Sequence, residues 1–163
     1  MLRTSTKNFL SNPRSDNINF IVMLGKYMYF APCRGYSKKK ILQDRYRLDS
    51  AGTTGYHIGH LPDPRGIEVA VNNGIGIRHQ KARKFYPDDF DLFDKIFVMD
   101  LSNLAKVRKM ALTSDHKNKV AMLPENDEVT DLNYGNEHGF KKVFELIDKA
   151  CDQLSDELQK PQP

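Results

Sequence analysis

The sequence predicts an α/β protein with a doubly wound, four-stranded, mainly parallel sheet and helices on both faces, giving three α/β/α layers. Short apolar, β-branched segments recur along the chain, and amphipathic segments with helical spacing lie between them. Strands that alternate with helices form parallel sheets through right-handed crossovers. The chain has 163 residues, of which 39% are hydrophobic, so we expect one domain with one core.

The predicted strands are short and apolar, as is typical of parallel strands buried on both faces. The clearest are "INFIVML", "DKIFVMD" and "NKVAMLP", whereas the strand that ends in "RLDS" has a weaker pattern. These segments predict strands near residues 19–24, 47–50, 95–100 and 119–123. Because open parallel sheets bind ligands beyond the carboxyl ends of their strands, the loop after the first strand is the expected site.

Three segments carry helix signals. One is predicted to begin near Pro64 and to end at Gly74, and another is predicted to begin with Ser102 as its cap. The second helix should place Leu104, Val107 and Leu112 on one face. The last helix has a continuous apolar stripe, formed by Phe140, Val143, Phe144, Ile147, Cys151, Leu154 and Leu158. We interpret Cys151 as a small buried hydrophobic side chain rather than a reactive thiol.

Composition limits the classes of partner and compartment. Residues 1–16 are predicted to be a loose polar extension, residues 17–158 the domain and residues 159–163 a tail. The net charge is +4, but the sequence contains no basic stripe with interleaved aromatic residues, so we expect no nucleic-acid partner. No apolar segment has the length of a signal peptide core or a membrane span, which favours a cytoplasmic protein without membrane contact. We also expect a monomer. The two cysteines lie far apart in the sequence and predict neither a disulfide framework nor a metal site.

Four separated strings, in the right order, resemble the low molecular weight protein tyrosine phosphatases. "LDSAGTTGYHIGHLPDPRG" is similar to the family's DSAGT string followed by its YHxGxxxDPR string. "HQKARKF" resembles the HxARxL segment, and "FDKIFVMDLSN" resembles the FDxIxxMDxSN strand and helix entry. "VTDLNYG" is similar to the family's VPDPYYG acid loop, which leads into the final helix. The resemblance extends over about residues 17–158.

The resemblance implies a two-step phosphoryl transfer that needs no cofactor and no metal. In the family, a cysteine at the end of the first strand begins a loop of cysteine, five residues and arginine that encloses the phosphate. Backbone N–H groups at a helix N-terminus stabilise both a thiolate and a phosphate, and a guanidinium pairs with two phosphate oxygens. The cysteine attacks phosphorus, and an aspartic acid protonates the leaving phenolate. The implied substrate is a phosphotyrosine protein or a small aryl phosphate.

Residue by residue, the resemblance assigns several roles. Asp131 matches the general acid, although an ordinary turn aspartate is the alternative, and Tyr134 matches an aromatic wall of the phosphotyrosine pocket. Leu132 and Asn133 replace the family's proline and tyrosine. Residues that match positions supporting the phosphate loop, each of which also fits a structural polar role, are Ser50, His79 and Asp100.

The phosphate loop departs from the family at both essential positions. The family's "FVCLGNICRSP" aligns with "IVMLGKYMYFA", so Met23 replaces the nucleophile and Tyr29 replaces the arginine. A thioether has no proton to lose, and a phenol offers one neutral donor in place of five charged ones. Cys33 does not replace the nucleophile, because Lys39 rather than arginine stands at the required spacing. The degenerate loop positions are therefore Met23, Leu24, Gly25, Lys26, Tyr27, Met28 and Tyr29.

The genetic code offers an explanation for this departure. Codons for the segment that begins at Met23, read one base later, can encode Cys-Leu-Gly-Asn-Ile-Cys, then Ile or Thr, and then Ser-Pro-Leu-Ala-Glu-Gly. This string is the family loop except at the arginine position. Residues 23–37 are therefore interpreted as the product of two compensating frameshifts, in the gene or in its sequencing. The segment should fill the phosphate pocket with aromatic rings and delay the next helix to about Ser37.

Three hypotheses follow from the sequence. The first is a member of the phosphatase family by descent, with the family's activity. For the chain as written, inactivity is favoured, because both essential loop side chains are missing. The second is a non-catalytic relative that binds phosphotyrosine or another partner. The third is an unrelated α/β protein, against which the four strings argue.

Overall fold

The computed structural model describes residues 18–24, 46–123 and 137–159 of the chain. Four strands form one parallel sheet with the order β2-β1-β3-β4: β1 is Ile18–Leu24, β2 is Tyr46–Gly52, β3 is Lys95–Val98 and β4 is Val120–Met122. Each lies where the sequence predicts a strand. The predicted parallel, doubly wound α/β fold is confirmed.

Five helices lie within the described residues. In chain order they are α1 (Pro64–Asn72), α2 (Asp89–Leu92), α3 (Leu101–Met110), α4 (Ser114–Asn118) and α5 (Glu137–Gln159). The sequence predicts α1, α3 and α5 and misses α2 and α4, which have four and five residues and are too short to show a helical period. Gly74 follows α1 with a φ of 72°, a conformation that closes a helix without a Cβ clash, as expected.

Two buried clusters hold the layers together. On one face of the sheet, Ile96 and Val98 of β3 pack with Val107 of α3 and with Phe85 and Phe90. The other cluster lies between α1 and α5 and consists of Val69, Ala70, Ile75, Ile77, Phe140 and Phe144. Burial of these apolar surfaces is the main favourable contribution to folding.

Two expectations about α3 are wrong. The helix begins one residue before Ser102, and its cap is Asp100, whose carboxylate accepts the backbone N–H of Asn103 at 2.6 Å. An aspartate oxygen caps a helix as well as a serine hydroxyl does. The sequence alone therefore does not decide between Asp100 and Ser102, and the backbone geometry does. Leu112 lies beyond the end of the helix and is 82% exposed, whereas Val107 is fully buried.

The burial of Cys151 is confirmed, but its chemistry is not. Its side chain is 5% exposed within the apolar stripe of α5, as expected. The cysteine is disulfide-bonded, however, rather than an unmodified hydrophobic side chain. Distance along the sequence does not limit which cysteines meet in the folded chain, so the separation of the two cysteines does not exclude a disulfide.

Candidate functional site

The carboxyl ends of β2, β1 and β3 form the sheet edge at which the sequence predicts the site. β1 lies between the other two strands, and Met23 is in register with Ala51 of β2 and with Val98 of β3. Leu24, the last residue of β1, pairs with Gly52. The backbone position predicted for the nucleophile therefore lies one residue before the carboxyl end of a central strand, where a parallel sheet presents its ligand site.

Two of the predicted supporting residues occupy different environments. Ser50 is buried in β2, opposite Val22 of β1. His79 lies on the connection between α1 and α2 and is exposed. Ser50 is thus part of the sheet beside the predicted site, while the orientation of His79 toward that site stays a prediction.

Asp100, the third predicted supporting residue, belongs to a hydrogen-bond network at the start of α3. One carboxylate oxygen accepts the Asn103 backbone N–H, and the other accepts the Asn103 side-chain Nδ2–H at 2.6 Å. Thr53, the first residue after β2, donates its hydroxyl to Asn103 Oδ1 at 2.7 Å. Asp100 therefore acts as a helix cap and as an anchor for Asn103, which is the structural role that the sequence left open.

An ion-pair network fixes the neighbouring loop to β2. Arg83 donates from Nε to Asp49 Oδ2 at 2.9 Å and from Nη1 to Asp89 Oδ2 at 3.0 Å. Burial lowers the pKa of the Arg83 guanidinium, but Asp49 and Asp89 outweigh this effect, and the pKa is raised above its ordinary value. The sequence does not reveal this role of Arg83, because neither acidic partner is adjacent to it along the chain.

Other predicted residues lie outside the described part of the chain. They are Gly25, Lys26, Tyr27, Met28, Tyr29, Cys33, Asp131 and Tyr134, together with the predicted helix start near Ser37. Within the described residues there is no cluster of three or more His, Cys, Asp or Glu side chains that would bind a metal ion. The same residues include no helix that is both long and apolar enough to cross a membrane.

The described side chains at this edge are suited to holding loops. The carboxylate of Asp100 is engaged by Asn103, and those of Asp49 and Asp89 are engaged by Arg83. The edge therefore supplies a frame of fixed hydrogen bonds.

Comparison with known proteins agrees with this architecture. A family model described as low molecular weight phosphotyrosine protein phosphatase matches residues 31–163. The low molecular weight phosphotyrosine protein phosphatase of Gallus gallus is 37% identical over 126 residues, which cover 74% of this chain and 77% of the relative. The crystal structure of YfkJ from Bacillus subtilis superposes with a TM-score of 0.78 at 31% identity, covering 92% of this chain and 99% of that one. A protein tyrosine phosphatase from Entamoeba histolytica gives a TM-score of 0.77 at 28% identity, with 88% and 97% coverage.

Proposed function

Because the chain belongs to the low molecular weight phosphotyrosine protein phosphatase family, we propose that it carries the family's phosphate site in a form that cannot hydrolyse phosphate monoesters. The observation that carries this proposal is the position of Met23. Its backbone pairs with Ala51 and Val98 one residue before the end of β1, which supports its alignment with the family's nucleophile.

The chemistry of the two replaced side chains explains the loss. A Met23 thioether cannot form a thiolate, and the Tyr29 phenol cannot pair with two phosphate oxygens as a guanidinium does. Uncatalysed phosphate monoester hydrolysis is so slow that enzymes accelerate such reactions by up to about 10²¹-fold. Asp131, proposed as the general acid, would contribute about 10²–10⁴-fold, which is far too little without the nucleophile.

A hydrolysis assay tests the proposal. Purified protein should release p-nitrophenol from p-nitrophenyl phosphate at the rate of buffer alone. The Gallus gallus relative, assayed in parallel, controls for the conditions. A robust, vanadate-sensitive rate would refute the proposal.

A second candidate function is non-catalytic binding of a phosphotyrosine protein. The hydrogen-bond network of Thr53, Asn103 and Asp100 favours it, because the ends of β2 and β3 are held by paired polar groups although Met23 stands at the nucleophile position. Titration calorimetry with a phosphotyrosine peptide and its unphosphorylated counterpart separates the candidates. Binding of only the phosphorylated peptide supports a binding module, and the absence of heat with both peptides excludes it under those conditions.

We further infer that residues 23–37 arose by two compensating frameshifts. The family model begins its match at residue 31, after the positions of Met23 and Tyr29, whereas the structural match to YfkJ covers 92% of the chain. This difference supports an altered sequence before residue 31 in an otherwise family-like domain. Sequencing the source DNA across residues 21–41 tests the inference. DNA that encodes residues 23–37 as written would place any frameshifts in the gene itself, whereas DNA that encodes the family loop would place them in the sequencing.

A further inference from the structure

A tight turn in the loop between β2 and α1 brings two histidines together. His57 and His60 are its first and last residues, and the backbone N–H of His60 donates to the His57 carbonyl at 3.0 Å. Gly59, the third residue, has a φ of 82°, the conformation that a type II turn requires at this position. The first and last Cα atoms of such a turn lie within about 7 Å of each other. The two imidazoles therefore leave the backbone at neighbouring points.

The turn is fixed to a second segment of the chain, the loop after α1. The backbone N–H of Gly59 donates to the Ala82 carbonyl at 2.8 Å, and the backbone N–H of Ala82 donates to the His60 carbonyl at 3.0 Å. These two bonds hold the turn from outside, in addition to the bond that closes it. The backbone that carries the two histidines is therefore set before any ligand binds, which lowers the entropic cost of bringing both rings to one ligand.

The spacing of the two rings suits a shared metal ion. The ring centres of His57 and His60 are 5.6 Å apart, with an interplanar angle of 63°. In a tetrahedral site with metal–nitrogen bonds of about 2.0–2.1 Å, the centres of two imidazoles on one metal lie about 5 Å apart. His57 is half-buried and His60 is exposed, so both rings have room to rotate their nitrogens toward a common point. Imidazole is a preferred ligand of zinc, copper and nickel ions.

We propose that His57 and His60 form a two-imidazole surface site for a divalent transition-metal ion of the Ni²⁺, Cu²⁺ and Zn²⁺ class. Within the part of the chain that the structure describes, no third His, Cys, Asp or Glu side chain joins the pair, so water completes the coordination. Magnesium prefers oxygen ligands and is excluded by this donor set. The site uses no residue that is assigned to phosphate chemistry, so the inference does not rest on the proposed function.

Titration calorimetry of the full-length protein with NiCl₂ tests the proposal. His57→Gln and His60→Gln should each weaken the binding of Ni²⁺ at least about ten-fold, because a ligand held by two linked groups loses the advantage of the second group. His79→Gln is the matched control, since His79 is an exposed histidine outside the pair, and it should keep the wild-type affinity. MgCl₂ should give no heat of binding. Neither histidine of the pair is buried, so the variants should fold, and circular dichroism checks this.

NMR spectroscopy locates the bound metal. Substoichiometric Cu²⁺, which is paramagnetic, should broaden the imidazole resonances of His57 and His60 before those of His79 and His116. Broadening that is centred on another histidine would overturn the proposal, as would a Ni²⁺ affinity that is the same in wild type, His57→Gln and His60→Gln. Both measurements are independent of phosphate hydrolysis, so this proposal and the proposed loss of activity fail separately.

Discussion

The Nε of Arg83 lies 2.9 Å from the Oδ2 of Asp49, and the neighbouring backbone forms a bridge between Lys84 and Gly52, so that the loop after α1 is fixed to the edge strand β2. A second bond, from Arg83 Nη1 to Asp89 Oδ2, connects the same guanidinium to α2, and the Asp89 side chain is only 5% exposed. Asp89 also accepts the backbone N–H of Tyr86 at 2.8 Å. Arg83 thus connects β2 with α2 through its two ion pairs.

Replacement of Arg83 should strongly destabilise the fold. Arg83→Met removes the cation that binds Asp49 and Asp89, while each carboxylate keeps one backbone N–H donor, and the loss of a hydrogen bond to a charged group typically costs about 1.5–3 kcal/mol. Urea denaturation of the variant and of Lys81→Met, an exposed position in the same loop, measures the difference. We expect a change below about 0.5 kcal/mol for Lys81→Met. A similarly small change for Arg83→Met would show that the ion pairs contribute little.

The titration of Asp63 should depend on Arg65. A side-chain hydrogen bond from Arg65 lowers the pKa of Asp63 below 3.8, although burial opposes this shift. Because the folded pKa is lowered, the stabilisation is present above pH 3.8 and is lost as pH falls through the folded value. NMR titration should show that the pKa of the Asp63 carboxyl rises toward 3.8 in Arg65→Gln and does not change in Arg78→Gln. An Asp63 titration that is the same in wild type and Arg65→Gln contradicts the assignment.

Restoring the nucleophile alone should not restore catalysis. Met23→Cys supplies a thiol at the family position, but Tyr29 still lacks the charged fork that neutralises the phosphate oxygens. Hydrolysis of p-nitrophenyl phosphate by Met23→Cys should stay at the background rate, equal to that of Met23→Ser. A rate clearly above that of Met23→Ser would mean that the arginine position is dispensable in this chain.

Cys151 should resist alkylation until the protein is reduced. Because the cysteine is disulfide-bonded, iodoacetamide added to denatured, unreduced protein should leave the Cys151 peptide unmodified. Prior reduction should make the same peptide fully labelled in mass spectra. A disulfide typically stabilises a protein by about 2–4 kcal/mol, so reduction should also lower the urea midpoint. Labelling without reduction would show a free thiol at this position.

The sequence predicted the elements that have a strong periodic signal. β1, β3 and α5 lie where apolar runs and the stripe from Phe140 to Leu154 placed them. The sequence patterns did not predict the short helices α2 and α4, and they did not predict the start of α3 at Leu101 with Asp100 as its cap. Helix ends depend on which nearby side chain reaches a free N–H, and several residues can do so equally well.

The sequence by itself determined the α/β fold and the family, because these follow from local patterns and residue identities. Only the tertiary structure decided which remote side chains meet. Thr53 and Asn103 are 50 residues apart, and Asp49 and Arg83 are 34 apart. Such hydrogen bonds have no periodic signature, since they depend on how the strands are ordered in the sheet and on which loops their ends bring together.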